Sequence, residues 1–180
     1  GTDAGQTDQP RVALIMKSLA NELFATMEEG ARAHHAANAD RYALLASGIK
    51  NELDVNRQIQ LVEQMMGQQV DAIVIAPADS KALVPVCKRA MDAGVIVVNI
   101  DNKFDDEVLR AKGIRIPFVG PDNRKGAYAV GMRVAKELAQ GDPVAIVGGV
   151  PGAFNAIERN RGFEDAMNEA GMEIVLSQPG

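Results

Sequence analysis

Four short apolar runs recur at even intervals, and the stretches between them repeat in kind. Val12-Ala13-Leu14-Ile15-Met16, Tyr42-Ala43-Leu44-Leu45-Ala46, Ala72-Ile73-Val74-Ile75-Ala76 and Val95-Ile96-Val97-Val98 each read as a strand. The intervening segments space their apolar residues as a helix does, as in Val55, Ile59, Val62 and Met66. Strand and helix alternating in this way build βαβ units, and therefore a parallel sheet with helices on both faces. The fold class is α/β, doubly wound, with an expected strand order of 2-1-3-4 in the first sheet.

The fourth run says where a site belongs. Gly94 opens it, and the β-branched residues that follow predict a strand buried on both faces. It runs into Asn99, Ile100, Asp101 and Asn102. Ligands of open parallel sheets bind in the crevice beyond the carboxyl ends of the strands. A carboxylate there does nothing for the core and is well placed to accept hydrogen bonds from hydroxyl groups. A lone aspartate reads more readily as a helix cap or a solvated loop residue, but the first strand also ends in polar residues, Lys17, Ser18 and Asn21.

The helices predicted between these strands run from about Leu23 to Ala37, from Asp54 (an N-cap by residue type) through Met66, and from Asp79-Ser80 to Met91. From Phe104 to Ile116 the pattern lapses into charged, irregular sequence. Ile116 to Gly120 reads as a connecting strand, which Pro117 keeps from the centre of a sheet. The rhythm then restarts: a helix from Asp122-Asn123 to Leu138, a strand at Pro143–Val147, a helix from Phe154 to Ala170 and a strand at Glu173–Leu176. The restart implies two similar lobes, at residues 11–117 and 118–180, behind a flexible arm at residues 1–10. The second lobe holds about two strand–helix pairs, thin for a sheet of its own, so it is expected to be incomplete. Its exposed strand edge is expected to promote self-association.

Composition narrows the function. With 19 basic and 24 acidic residues the net charge is −5, the wrong sign for a nucleic-acid surface. No run approaches the length of a membrane-spanning helix. The single cysteine, Cys87, sits in an apolar helical pattern and is expected to be a buried structural thiol. His34 and His35 are adjacent and point apart on a helix, which disfavours a shared metal. No paired carboxylates, nucleophile elbow or phosphate loop occurs. Gly148-Gly149-Val150-Pro151-Gly152 lacks the dinucleotide-binding order and reads as a turn. Neither an enzyme, a cofactor nor a metal is expected.

Five segments carry a resemblance: Val12 to Phe24, Asp71 to Ser80, Gly94 to Asp101, Phe118 to Gly126 and Glu158 to Phe163. In order and together they resemble the periplasmic sugar-binding proteins of ribose-binding type. These share the type I periplasmic binding protein fold with the effector domains of LacI-type repressors. The resemblance implies two Rossmann-like lobes that close on a sugar or sugar alcohol and deliver it to the membrane permease of an ABC transporter, in the periplasm. The alternative is a LacI-type effector domain. The absence of a helix-turn-helix pattern before Arg11 favours the receptor.

The resemblance also implies site residues. Asn21 matches an asparagine that hydrogen-bonds sugar hydroxyls, and Phe24 an aromatic that stacks on the ring. Asp101 matches the carboxylate that grips two hydroxyls, and Arg159 the second-lobe arginine that reaches a sugar oxygen. Asn102 stands where an arginine is usual, Lys17 where a small hydroxyl residue is usual, and Leu23 in place of a second aromatic. On residue type alone, Asn21 reads as a cap for the first helix, Phe24 equally as core, and Arg159, like nearby Arg161, as a solvated helix residue.

Overall fold

The structure, a computed structural model, describes residues 9–179. The expected N-terminal arm falls outside the described residues except for Gln9 and Pro10. A five-stranded parallel sheet forms the first lobe, from β1 (Arg11–Ser18), β2 (Ala43–Ile49), β3 (Ala72–Ile75), β4 (Ile96–Ile100) and β5 (Phe118–Val119). Its order is β2-β1-β3-β4-β5, which is the expected 2-1-3-4 with one strand added at the edge. Helices α1 (Glu22–Ala36), α2 (Val55–Gly67), α3 (Val84–Asp92) and α4 (Asp106–Ala111) connect the strands. The second lobe pairs β6 (Pro143–Gly148) with β7 (Glu173–Pro179), also in parallel. Helices α5 (Asn123–Ala135) and α6 (Phe154–Glu169) pack beside them.

β1 runs between β2 and β3 and buries everything from Ala13 to Ser18. One face of the sheet packs Ile15, Ile73 and Ile75 against Val62, Leu83, Val84 and Val86 of the helical layer. The opposite face holds Leu14, Met16, Phe24 and Ala76. Each large aliphatic side chain removed from water here contributes about 1.5–3 kcal/mol. Gln58 is fully buried yet leaves no end unpaired. Its amide donates to the carbonyls of Ala76 at 2.9 Å and Met16 at 3.3 Å and accepts from the Ala78 N–H at 2.7 Å. It thereby ties α2 to the carboxyl ends of β1 and β3, where backbone groups leave the ladder.

Three local expectations are corrected. β4 is not buried on both faces: Ile96 is 64% exposed while Val97 and Asn99 are buried, an alternation that puts one face of the strand in the core and leaves the other partly open. The third helix starts at Val84, not at Asp79. The Asp79 carboxylate instead accepts the N–H groups of Lys81 at 2.8 Å and Ala82 at 2.7 Å, closing a turn before the helix. The charged stretch after Phe104 contains α4, whose Asp105 cap accepts the N–H groups of Glu107 at 3.0 Å and Val108 at 2.9 Å. The strand expected at Ile116 to Gly120 is β5, and it lies at the edge of the first sheet, off its centre as Pro117 implied.

In the second lobe α5 and α6 meet through glycines. A Cβ at Gly131 would lie 2.6 Å from the Ala166 Cβ, and one at Gly162 would strike the Arg124 carbonyl. Arg124 and Asp165, 2.7 Å apart, and Tyr128 and Glu169, also 2.7 Å apart, tie the same two helices.

Candidate functional site

The carboxyl edge of the first sheet carries a polar cluster with little water access. β1 delivers Lys17, whose side chain is only 6% exposed. Its ammonium lies 3.4 Å from Glu52 Oε2, 4.0 Å from Asp101 Oδ2 and 5.7 Å from the centroid of the Phe24 ring. Asp101 follows β4 directly and adopts φ +58°, a left-handed conformation that aspartate tolerates better than most residues. Its Oδ2 is the one buried side-chain polar atom among the described residues with no hydrogen-bond partner. Burial pushes the Asp101 carboxyl above its ordinary value; Lys17 and Arg159 pull it down and Glu52 pushes it further up.

Asn21 is engaged at both ends of its side-chain amide. Its side-chain oxygen accepts the Leu23 N–H at 3.0 Å, capping α1, and its amide donates to Glu52 Oε1 at 3.2 Å. Phe24 takes the core alternative. It is 3% exposed, packs with Leu14, Met16 and Ala76, and lies under the Lys17 ammonium, so it does not offer an open plate. The neighbouring Leu23, 55% exposed, faces water instead. Arg159 is an exposed residue of α6; its Nε donates to Asn123 Oδ1 at 2.9 Å, and its charge acts on Asp101 from the other lobe. Arg161 pairs with Glu158 at 2.7 Å. It lines a separate cavity of about 310 Å³ with Gly148, Asn160 and Glu164.

Asn102 corrects the expectation of a ligand contact. It is fully buried, and both ends of its amide are engaged. It donates to the Pro77 carbonyl at 2.9 Å and accepts the Asn155 N–H at 3.1 Å. Beside it, Ser80 Oγ accepts the Phe154 N–H at 3.0 Å. Phe154 and Asn155 open α6, whose cap residue Ala153 has no side-chain acceptor. A helix start needs such acceptors. Here the first lobe supplies them.

Two residues of this edge went unread in the sequence. Glu52 lies just past β2, where a glutamate in a loop usually means solvation. Ser80 sat inside the helix predicted to begin at Asp79. The buried Asn99 is a third polar residue that the apolar reading of the fourth strand passed over. Its amide donates to the Asn102 carbonyl at 2.8 Å and accepts the Phe104 N–H at 2.8 Å, fixing the loop that presents Asp101.

A carboxylate and an ammonium at the carboxyl edge of a parallel sheet, faced by a second βα lobe, define a two-lobed α/β ligand-binding fold. A family profile described as a periplasmic binding protein domain matches residues 12–180, and the chain belongs to that family. It is 60% identical over 173 residues to a D-ribose/D-allose-binding protein of Pseudomonas aeruginosa, covering 96% of this chain and 54% of that protein. It is 31% identical to the D-allose-binding periplasmic protein of Escherichia coli, covering 93% of this chain and 54% of that one. A solved ABC transporter solute-binding protein from Burkholderia multivorans superposes with a TM-score of 0.93 at 57% identity, over 95% of this chain and 60% of that chain. One from Actinobacillus succinogenes with bound D-allose gives 0.86 at 32% identity, over 95% and 59%. The chain therefore spans about half the length of the curated relatives it matches.

Proposed function

We propose that this chain is the sugar-capturing part of a periplasmic solute-binding protein that hands a monosaccharide such as D-allose or D-ribose to the permease of an ABC transporter. The observation that carries this reading is the unpartnered Oδ2 of Asp101 beside the Lys17 ammonium. An unpaired buried carboxylate oxygen costs more than an ordinary lost hydrogen bond. Sugar hydroxyls donating to it form charge-assisted bonds and recover that cost, while Lys17 offers N–H groups to a ring or hydroxyl oxygen. Asn21 lies in the same network, and Arg159 approaches on α6 of the second lobe. The relatives named above are binding proteins rather than enzymes or gene regulators, which supports the receptor over the effector-domain alternative.

Isothermal titration of the 180-residue chain with D-allose and D-ribose tests the reading. Saturable binding of either, weakened by about 2–4 kcal/mol in Asp101→Asn, is the expected result. Binding of neither sugar, or binding indifferent to that substitution, would refute it.

A further inference from the structure

We infer that Glu52 is a positioning residue for this site: its charge holds the Lys17 ammonium back from Asp101 and so leaves both groups open to a sugar hydroxyl. The inference rests on the sugar-binding reading above and adds a residue to it. In the strand order β2-β1-β3-β4, Glu52 follows β2 and Asp101 follows β4, so the two acids approach Lys17 from opposite sides of β1. The ammonium sits nearer Glu52, at 3.4 Å, than Asp101, at 4.0 Å. Coulomb attraction falls with distance, so the nearer acid has the stronger hold. At 4.0 Å the ammonium is outside hydrogen-bond range of Asp101 Oδ2, and that oxygen stays unpartnered.

Glu52 is itself fixed. Its Oε1 accepts from the Asn21 amide at 3.2 Å, and Asn21 is locked by its cap bond to the Leu23 N–H. The start of α1 thus sets Glu52, Glu52 sets Lys17, and Lys17 determines whether Asp101 is free. Without the Glu52 charge, Lys17 would swing to Asp101 and close an ion pair at hydrogen-bond distance. A sugar would then have to break that pair before binding. The charged groups that act on Asp101 are Lys17 from β1, Glu52 from the loop after β2 and Arg159 from α6.

Glu52→Gln isolates the charge, because the amide oxygen still accepts from Asn21. In the 180-residue chain, D-allose affinity should fall about tenfold and the Asp101 carboxyl, followed by NMR, should titrate at lower pH. The thermal midpoint should not drop, because a buried ion pair has tightened. In a Lys17→Met background the same substitution should move the Asp101 titration much less, since no ammonium remains to be released. Unchanged affinity with an unmoved titration would overturn the inference. So would a lower midpoint with an unmoved titration, which marks a merely structural glutamate. If the parent chain binds neither D-allose nor D-ribose, the functional reading falls. The titration with and without Lys17 then decides the positioning role by itself: equal shifts in the two backgrounds overturn it.

Discussion

The side-chain oxygen of Asn102, in the first lobe, accepts the backbone N–H of Asn155, in the first turn of the second lobe's α6, at 3.1 Å. Together with the Phe154 N–H on Ser80 Oγ at 3.0 Å, it caps a helix from outside the helix's own lobe. The first turn of α6 is satisfied only while the lobes stay together, so capping and lobe contact are one event.

Asn102→Ala should therefore destabilise the chain by about 3 kcal/mol, since it strands the Pro77 carbonyl and the Asn155 N–H in a fully buried place. Ser80→Ala, which removes one acceptor, should cost about 1 kcal/mol. Urea unfolding measures both. A loss below about 0.5 kcal/mol for Asn102→Ala would mean that water replaces the bonds at no cost.

Stability and binding should respond to pH in opposite directions. The Asp101 carboxyl is raised above its ordinary 3.8, first by burial. Between the unfolded and folded titration points the native state holds more protons than the unfolded one. Ligand-free stability should then fall as pH rises through the window above 3.8. On the proposed role of Asp101, sugar affinity should rise across the same window, because an ionised carboxylate would accept more strongly from hydroxyls. Urea melts and titration calorimetry between about pH 4 and pH 7 check the two slopes, and Asp101→Asn should flatten both.

Gly162→Ala should push α5 and α6 apart. A Cβ there would lie 2.9 Å from the Ala127 Cβ and from the Tyr128 N, and it would strike the Arg124 carbonyl, which is backbone and cannot swing aside. Overpacking of this kind costs about 1–3 kcal/mol. Gly67→Ala meets nothing within 4 Å, so it should cause no loss of thermal stability and serves as the control.

Cys87 should be silent to thiol reagents in the folded chain. It is fully buried, and burial pushes its thiol up to about 12, so almost no thiolate exists near neutral pH. Labelling with a chromogenic disulfide should follow global unfolding in urea. Labelling in native buffer at a rate independent of stability would show a local opening of α3.

The fold was legible because its signals are periodic. The apolar runs around Ile15, Ile73 and Val97 and the helical spacing of Val55, Ile59 and Val62 repeat in a pattern that only a parallel sheet satisfies. What escaped is short or two-faced. α4 has six residues and its cap, Asp105, sits among other acids, so a real helix start looked like a charged loop. The site divides along similar lines. The places of Asp101 and Lys17 at strand ends were readable, whereas the burial of Asn102 between the lobes was not. An amide after a strand looks alike whether it faces a ligand or a neighbouring backbone, and only the arrival of Asn155 from 53 residues away decides it. Phe24 was undecidable for the same reason: one helix turn determines whether its ring meets Met16 or open water.

The left-handed backbone at Asp101 also limits which residues can replace it. Asparagine keeps that conformation but surrenders the charge. Glutamate keeps the charge but fits the conformation poorly, and glycine surrenders the side chain altogether. Each single replacement forfeits either the geometry or the carboxylate, so position 101 is closed to gradual substitution. Lys17 and Glu52 lie outside the left-handed region, so the backbone sets no such demand there. Side-chain chemistry at this edge is therefore easier to alter at Lys17 and Glu52 than at position 101.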